Sequence, residues 1–111
     1  MRFILTFKPA EHTCTTARAE MAELCARLRA DGVLQSAIGL RRSEAGARVR
    51  LAGDRASVTD GPFTETKELI AGLAIVDVPD KATAVEVARK FLAVGGGGES
   101  EVREVNEAAI Y

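Results

Sequence analysis

A chain of 111 residues that is 47% hydrophobic and 28% charged is long enough for one core and too apolar to be disordered. Its formal net charge of −1 excludes the basic stripe of a nucleic-acid binder: the densest cluster, Arg41-Arg42 with Arg48 and Arg50, is broken by Glu44 and has no interleaved aromatic residue. No apolar run approaches the roughly 20 residues of a membrane span, and the first residues lack the apolar segment and cleavage site of an export signal, so the expectation is a cytoplasmic protein with neither nucleic acid nor membrane as partner.

In chain order, Arg2 to Lys8 alternates, with Phe3, Leu5 and Phe7 on one face and Ile4 on the other, which predicts a strand ended by Pro9. Thr15 or Thr16 can cap the helix that follows, whose apolar stripe is Ala17, Met21, Leu24, Cys25 and Leu28. Gly32 suits the left-handed position after its end. Val33 to Leu40 reads as a second strand. Two short alternating segments, Arg48 to Leu51 and Arg55 to Thr59, flank Gly53-Asp54 and predict a hairpin. Leu69 to Val78 is the most apolar stretch and predicts a strand that Pro79 ends. Asp80 caps a second helix with Ala82, Val85, Ala88 and Leu92 on one face, widened by Val87 and Phe91. Gly95 to Gly98 stop it, and Glu101 to Val105 forms a last strand.

The order is β-α-β, a hairpin, then β-α-β, with no linker or composition shift to divide residues 1–111 into two domains. That is an α+β chain of ferredoxin-like βαββαβ topology with an inserted β-hairpin, both helices lying on one face of the sheet. Two helices leave the other face open, yet Ile70 to Val76 is apolar at odd and even positions alike. Both faces of that strand are therefore expected to be buried, and a second copy of the chain is the simplest cover, giving a homodimer. A long loop folded over the sheet is the alternative.

Cys14 and Cys25 form no CxxC motif and no Cys/His cluster surrounds them, so no metal site is expected. Gly95 to Gly98 lack the strand-to-helix setting of a dinucleotide fingerprint, and no cofactor is expected. Cys25 reads as a small buried hydrophobe. Cys14, in the loop with His12, reads as a loop thiol or as a nucleophile beside a base.

The most distinctive stretch is Val58-Thr59-Asp60-Gly61-Pro62-Phe63-Thr64-Glu65-Thr66-Lys67-Glu68. Asp60 can accept backbone N–H bonds, Gly61 permits positive φ, Pro62 fixes its own φ and forces Gly61 toward extended geometry, and Phe63 can anchor the loop. This is either a well-made turn with solvated charges or a cleft where Asp60 serves as general base. In the second reading His12 stands at the rim, and Phe63, Glu65 and Lys67 contact an anionic small molecule.

On these residues the chain resembles the YCII-related family, in the branch named for its Asp-Gly-Pro-Phe motif: Asp60-Gly61-Pro62-Phe63, then Glu65 to Glu68, Gly72, and Val76-Asp77-Val78 all fall in register. The resemblance spans essentially the whole chain. It implies a dimeric α/β-barrel with a cleft near the dimer interface. Broader relatives include small lyase- or isomerase-like enzymes for which a His–Asp pair has been proposed, with the histidine in the first helix, where this chain has Glu20, Met21 and Glu23. Other relatives resemble accessory proteins encoded beside extracytoplasmic-function sigma factors. Two function classes stay open: a dimeric binder or acid–base enzyme for a small molecule, and a non-enzymatic module with a sigma-factor-linked partner.

Overall fold

A computed structural model describes residues 1–10, 18–62 and 70–110. Six strands and two helices follow in the order β1 (Arg2–Pro9), α1 (Arg18–Ala30), β2 (Leu34–Gly39), β3 (Ala47–Ala52), β4 (Arg55–Asp60), β5 (Gly72–Asp77), α2 (Lys81–Val94) and β6 (Gly98–Glu104). Strands β2, β5, β1 and β6 lie side by side in that order, every pair antiparallel, while β3 and β4 form a separate two-stranded ribbon. This is the ferredoxin-like α+β topology with its hairpin insertion.

Local chemistry explains the ends of the elements. Gly32 sits at φ 75° beyond α1, where its N–H donates to the Arg29 carbonyl and the Val33 N–H donates to that of Leu28; this left-handed close is open to glycine without strain. The expected Asp80 cap is present: the Thr83 N–H and hydroxyl both donate to Asp80 Oδ1, at 2.8 and 2.7 Å. These two hydrogen bonds, the hydroxyl's first, hold the Asp80 carboxyl below its ordinary value of 3.8. A carboxyl depressed on folding contributes stability above its unfolded pKa and loses it as pH falls through the lower folded value. Asp80→Ala should therefore lower Tm fully at pH 7, and the gap from the unchanged chain should narrow as the pH is taken below the ordinary carboxyl range, a comparison calorimetry can make directly.

One face of the sheet carries the core. Phe3 and Leu5 of β1, Ala74 and Val76 of β5 and Leu34 of β2 pack against Leu24, Cys25 and Leu28 of α1 and against Ala84, Val87, Ala88 and Phe91 of α2. The α1 stripe agrees with the expected one among the described residues. The α2 stripe agrees at Val87, Ala88 and Phe91 and departs at Ala82 and Val85, which face outward, while Ala84 joins the buried face. Glu86, Arg89 and Lys90 decide the phase, because turning Val85 inward would swing these charges toward the core. Glu86 accepts from Arg89 at 2.7 Å on the solvent side, and that bond holds its carboxyl below the ordinary range.

The expected strand over Leu69 to Val78 is shorter in the structure. Gly72–Asp77 pairs as a strand, Ile70 and Ala71 precede it, and the Val78 N–H still donates to the Met1 carbonyl at 2.9 Å. Within one chain, Gly72, Ala74 and Val76 are buried, while Leu73 and Ile75 are half-buried on the side away from the helices. Ile4 stands opposite Ile75 on that bare side, and Ile38 stands opposite Leu73. At the far end, Arg2 grips Glu107 with two hydrogen bonds, at 2.8 and 2.6 Å, which keep the Glu107 carboxyl below its ordinary range.

Candidate functional site

The candidate site is a gap left by two glycines. The β2–β5 register places Gly39 opposite Gly72, and the β1–β5 register places Phe7 on the other side of Gly72. All three occupy the helix-facing phase of the sheet, since each lies two residues from Ala37, Ala74 or Leu5. Where the rest of that face sends side chains up toward the helices, Gly39 and Gly72 send none. The result is a cavity of about 360 Å³.

Phe7, Met21, Cys25 and Phe91 wall this cavity, with Ala37, Leu73 and Leu92 around them and Pro9, Ala71 and Gly97 also in its lining. The Phe7 and Phe91 rings meet at 5.3 Å between centroids with a 51° tilt, within the centroid spacing of favourable aromatic pairs. Cys25 is buried, as expected for an apolar-stripe thiol, and is part of the wall. Such a site selects by shape and apolar contact, and its volume lies in the range of small-molecule sites. Among the described residues, no group of three or more His, Cys, Asp or Glu side chains is placed to hold a metal ion.

Gly72 and Gly39 are glycines for different reasons. A Cβ on Gly72 would lie 2.8 Å from the Ile38 carbonyl oxygen, so the close approach of β2 to β5 requires its absence. A Cβ on Gly39 would meet nothing within 4 Å. Only open space stands over Gly39.

Of the catalytic and binding residues expected from the sequence, Asp60 alone falls among those described. It is exposed at the last position of β4, opposite Ala47, and it does not line the cavity. His12, Cys14, Phe63, Glu65 and Lys67 lie outside the described residues. Gly61 does not use the positive φ that glycine permits, in keeping with the proline that follows it. Its N–H donates to the Gly46 carbonyl at 2.9 Å, and a Cβ there would collide with the Ser43 carbonyl oxygen. Glycine is needed so that the end of the ribbon can touch the short turn at Ser43–Ala45. The cavity residues Phe7, Met21, Gly39, Gly72 and Phe91 escaped the sequence reading as a site, because their meeting depends on pairing register between distant segments.

The strand order, the two helices on one face and the gap beneath them define a ferredoxin-like α+β domain with an apolar small-molecule-sized cavity. The chain belongs to the family of the YCII-related domain, whose pattern matches residues 1–108. No curated protein matches it at a significant level. Among the described residues no helix is long and apolar enough to cross a membrane.

Proposed function

We propose that this protein binds a small, largely apolar molecule in the cavity between the sheet and its helices. The observation that carries this reading is the Gly39–Gly72 pair, which withholds side chains from the one stretch of the helix-facing sheet surface where Phe7 and Phe91 supply aromatic walls. We place the chain in the branch of the family named for Asp60-Gly61-Pro62-Phe63, and we assign the polar work of the site to that motif and its surroundings. This assignment rests on the motif, since Asp60 does not line the cavity: Asp60 is the general base for a substrate end that extends beyond the lining, His12 its partner at the rim, Phe63 an apolar contact, and Glu65 and Lys67 hold the polar end of the substrate. Proximity in sequence supports this assignment: Pro9 and Ala71 line the cavity, and segments 11–17 and 63–69 begin or end two residues from them. The chemistry is acid–base and asks for no cofactor. A second copy of the chain covers the bare face of Ile4, Leu73 and Ile75; burying each such side chain contributes on the order of 1.5–3 kcal/mol before the cost of association.

The test is an NMR titration with indole and, separately, with 1-octanol. Saturable shifts confined to the amides of Phe7, Gly39, Gly72 and Phe91 are the expected result. Neither probe producing a saturable shift there, while both remain soluble at millimolar concentration, would overturn the reading.

A further inference from the structure

The basic pair Arg41-Arg42 lies where the apolar cavity ends. Ile38 and Gly39 line that cavity on β2, and Ala71 and Gly72 line it at the start of β5. The next residues outward, Leu40 and Arg41 on one segment and Ile70 on the other, line a second hollow of about 340 Å³. The Leu40 N–H donates to the Ala71 carbonyl at 2.8 Å, which fastens the two segments together between one hollow and the next. Gly39 and Arg41 are two residues apart, so their Cα atoms lie within about 7 Å of each other.

The two hollows differ in chemistry. Lys8 is the one charged residue in the lining of the first. The second has both Arg41 and Arg42 in its lining and, among the described residues, no carboxylate. Glu44 stands 3.8 Å from Arg42, at the long end for an ion pair, and it does not line the hollow. Arg41 has no ion pair among the described residues. Asp60 does not line the second hollow either, but it borders it. The ribbon register sets Asp60 opposite Ala47, which lines this hollow, and the Gly61 N–H donates to the carbonyl of Gly46, which also lines it.

We propose that the ligand is an apolar anion, a carboxylate on an alkyl or aryl body, that spans both hollows, with its body over Gly39 and Gly72 and its carboxylate on Arg41 and Arg42. The inference rests on the small-molecule site put forward above and gives that site a ligand class and two further binding residues. A guanidinium fork matches a carboxylate with two parallel hydrogen bonds. A ligand seated in this way brings its polar end beside Asp60. An apolar molecule confined to the first cavity does not, since Asp60 is absent from that lining.

Octanoate and 1-octanol share a chain length and differ at one end, so NMR titrations with each at low ionic strength test this, on the unchanged chain and on Arg41→Gln/Arg42→Gln. Both arginines are exposed, so the variant keeps its fold, which far-UV circular dichroism checks. The expected result is that octanoate binds the unchanged chain about 10-fold more tightly than 1-octanol and shifts the amides of Gly46 and Ala47 as well as those of Gly39 and Gly72. In the variant that advantage should be gone and the two Kd values equal. If the two bind the unchanged chain equally, or if the advantage of octanoate survives the substitutions, as it would with Lys8 holding the carboxylate, the inference is overturned and the apolar cavity stands. If neither ligand shifts Gly39 and Gly72, the cavity reading falls and this one with it.

Discussion

Gly39→Val should fold normally and lose the cavity, whereas Gly72→Val, one strand away in the same row, should cost about 3 kcal/mol. The two substitutions add the same atoms at the same height in the sheet, and only what those atoms meet differs. Above Gly39 there is open space and the backbone is not in the left-handed region, so valine gains strand propensity and side-chain contact there. At Gly72 the first added carbon lies 2.8 Å from the Ile38 carbonyl, a main-chain atom held by ladder hydrogen bonds on the neighbouring strand. Strands β2 and β5 would have to part. Denaturant unfolding separates the outcomes: an unchanged or higher midpoint for Gly39→Val, a clearly lower one for Gly72→Val. Repeating the indole titration on Gly39→Val then isolates the site, because its saturable shifts should vanish in a protein that is still fully folded. Retained binding in that variant would place the ligand elsewhere.

Gly61→Ala should release the base of the ribbon. The added methyl would collide with the Ser43 carbonyl oxygen and come close to the Glu44 Cα as well. No rotamer relieves this, since alanine has none, and both neighbours are backbone. Either the turn at Ser43–Ala45 or the end of β4 must move, and with it goes the hydrogen bond from the Gly61 N–H to the Gly46 carbonyl. The local cost is about 3 kcal/mol, at the upper end for overpacking. Because the ribbon shares little surface with the main sheet, the global melting temperature should fall far less than that figure implies. Hydrogen exchange should report the loss where it occurs, with faster exchange at Gly61 and across Val49 and Val58 while Leu5 and Val76 keep their protection. Equal acceleration at Leu5 would show that ribbon and core unfold as one unit.

How much of this was legible beforehand varied with the range of the interactions involved. The strands of the sheet and the hairpin could be read because side-chain alternation is a local signal, and Gly32, Gly53 and Asp80 marked their turns and cap through chemistry that acts within a few residues. The face of α2 was misjudged at Ala82 and Val85. Alanine, valine and leucine surround most of that helix, so the apolar pattern alone allowed two phases, and the positions of Glu86, Arg89 and Lys90 held the answer. The steric role of Gly61 went unseen for a related reason. A glycine after an aspartate suggests a conformational need, while the actual need is steric and involves Ser43, in a different segment. The cavity lay furthest from view. Gly39 and Gly72 are ordinary glycines in two separate strands until antiparallel pairing sets them side by side, and the bulge near Gln35 between Leu34 and Ser36 shifts that pairing by a residue that no local rule anticipates.

The sheet's two borders differ, and the difference bears on how these molecules crowd together. Along β2 the hydrogen-bonding row is kinked at Gln35; along β6 it is fringed by the charged side chains of Glu99, Glu101, Arg103 and Glu104. A stray strand trying to extend the sheet sideways would find misaligned donors on one margin and hydrated charges on the other. Runaway stacking into fibrils is discouraged at both ends, and lateral growth is closed to a protein whose broad surfaces are nonetheless oily.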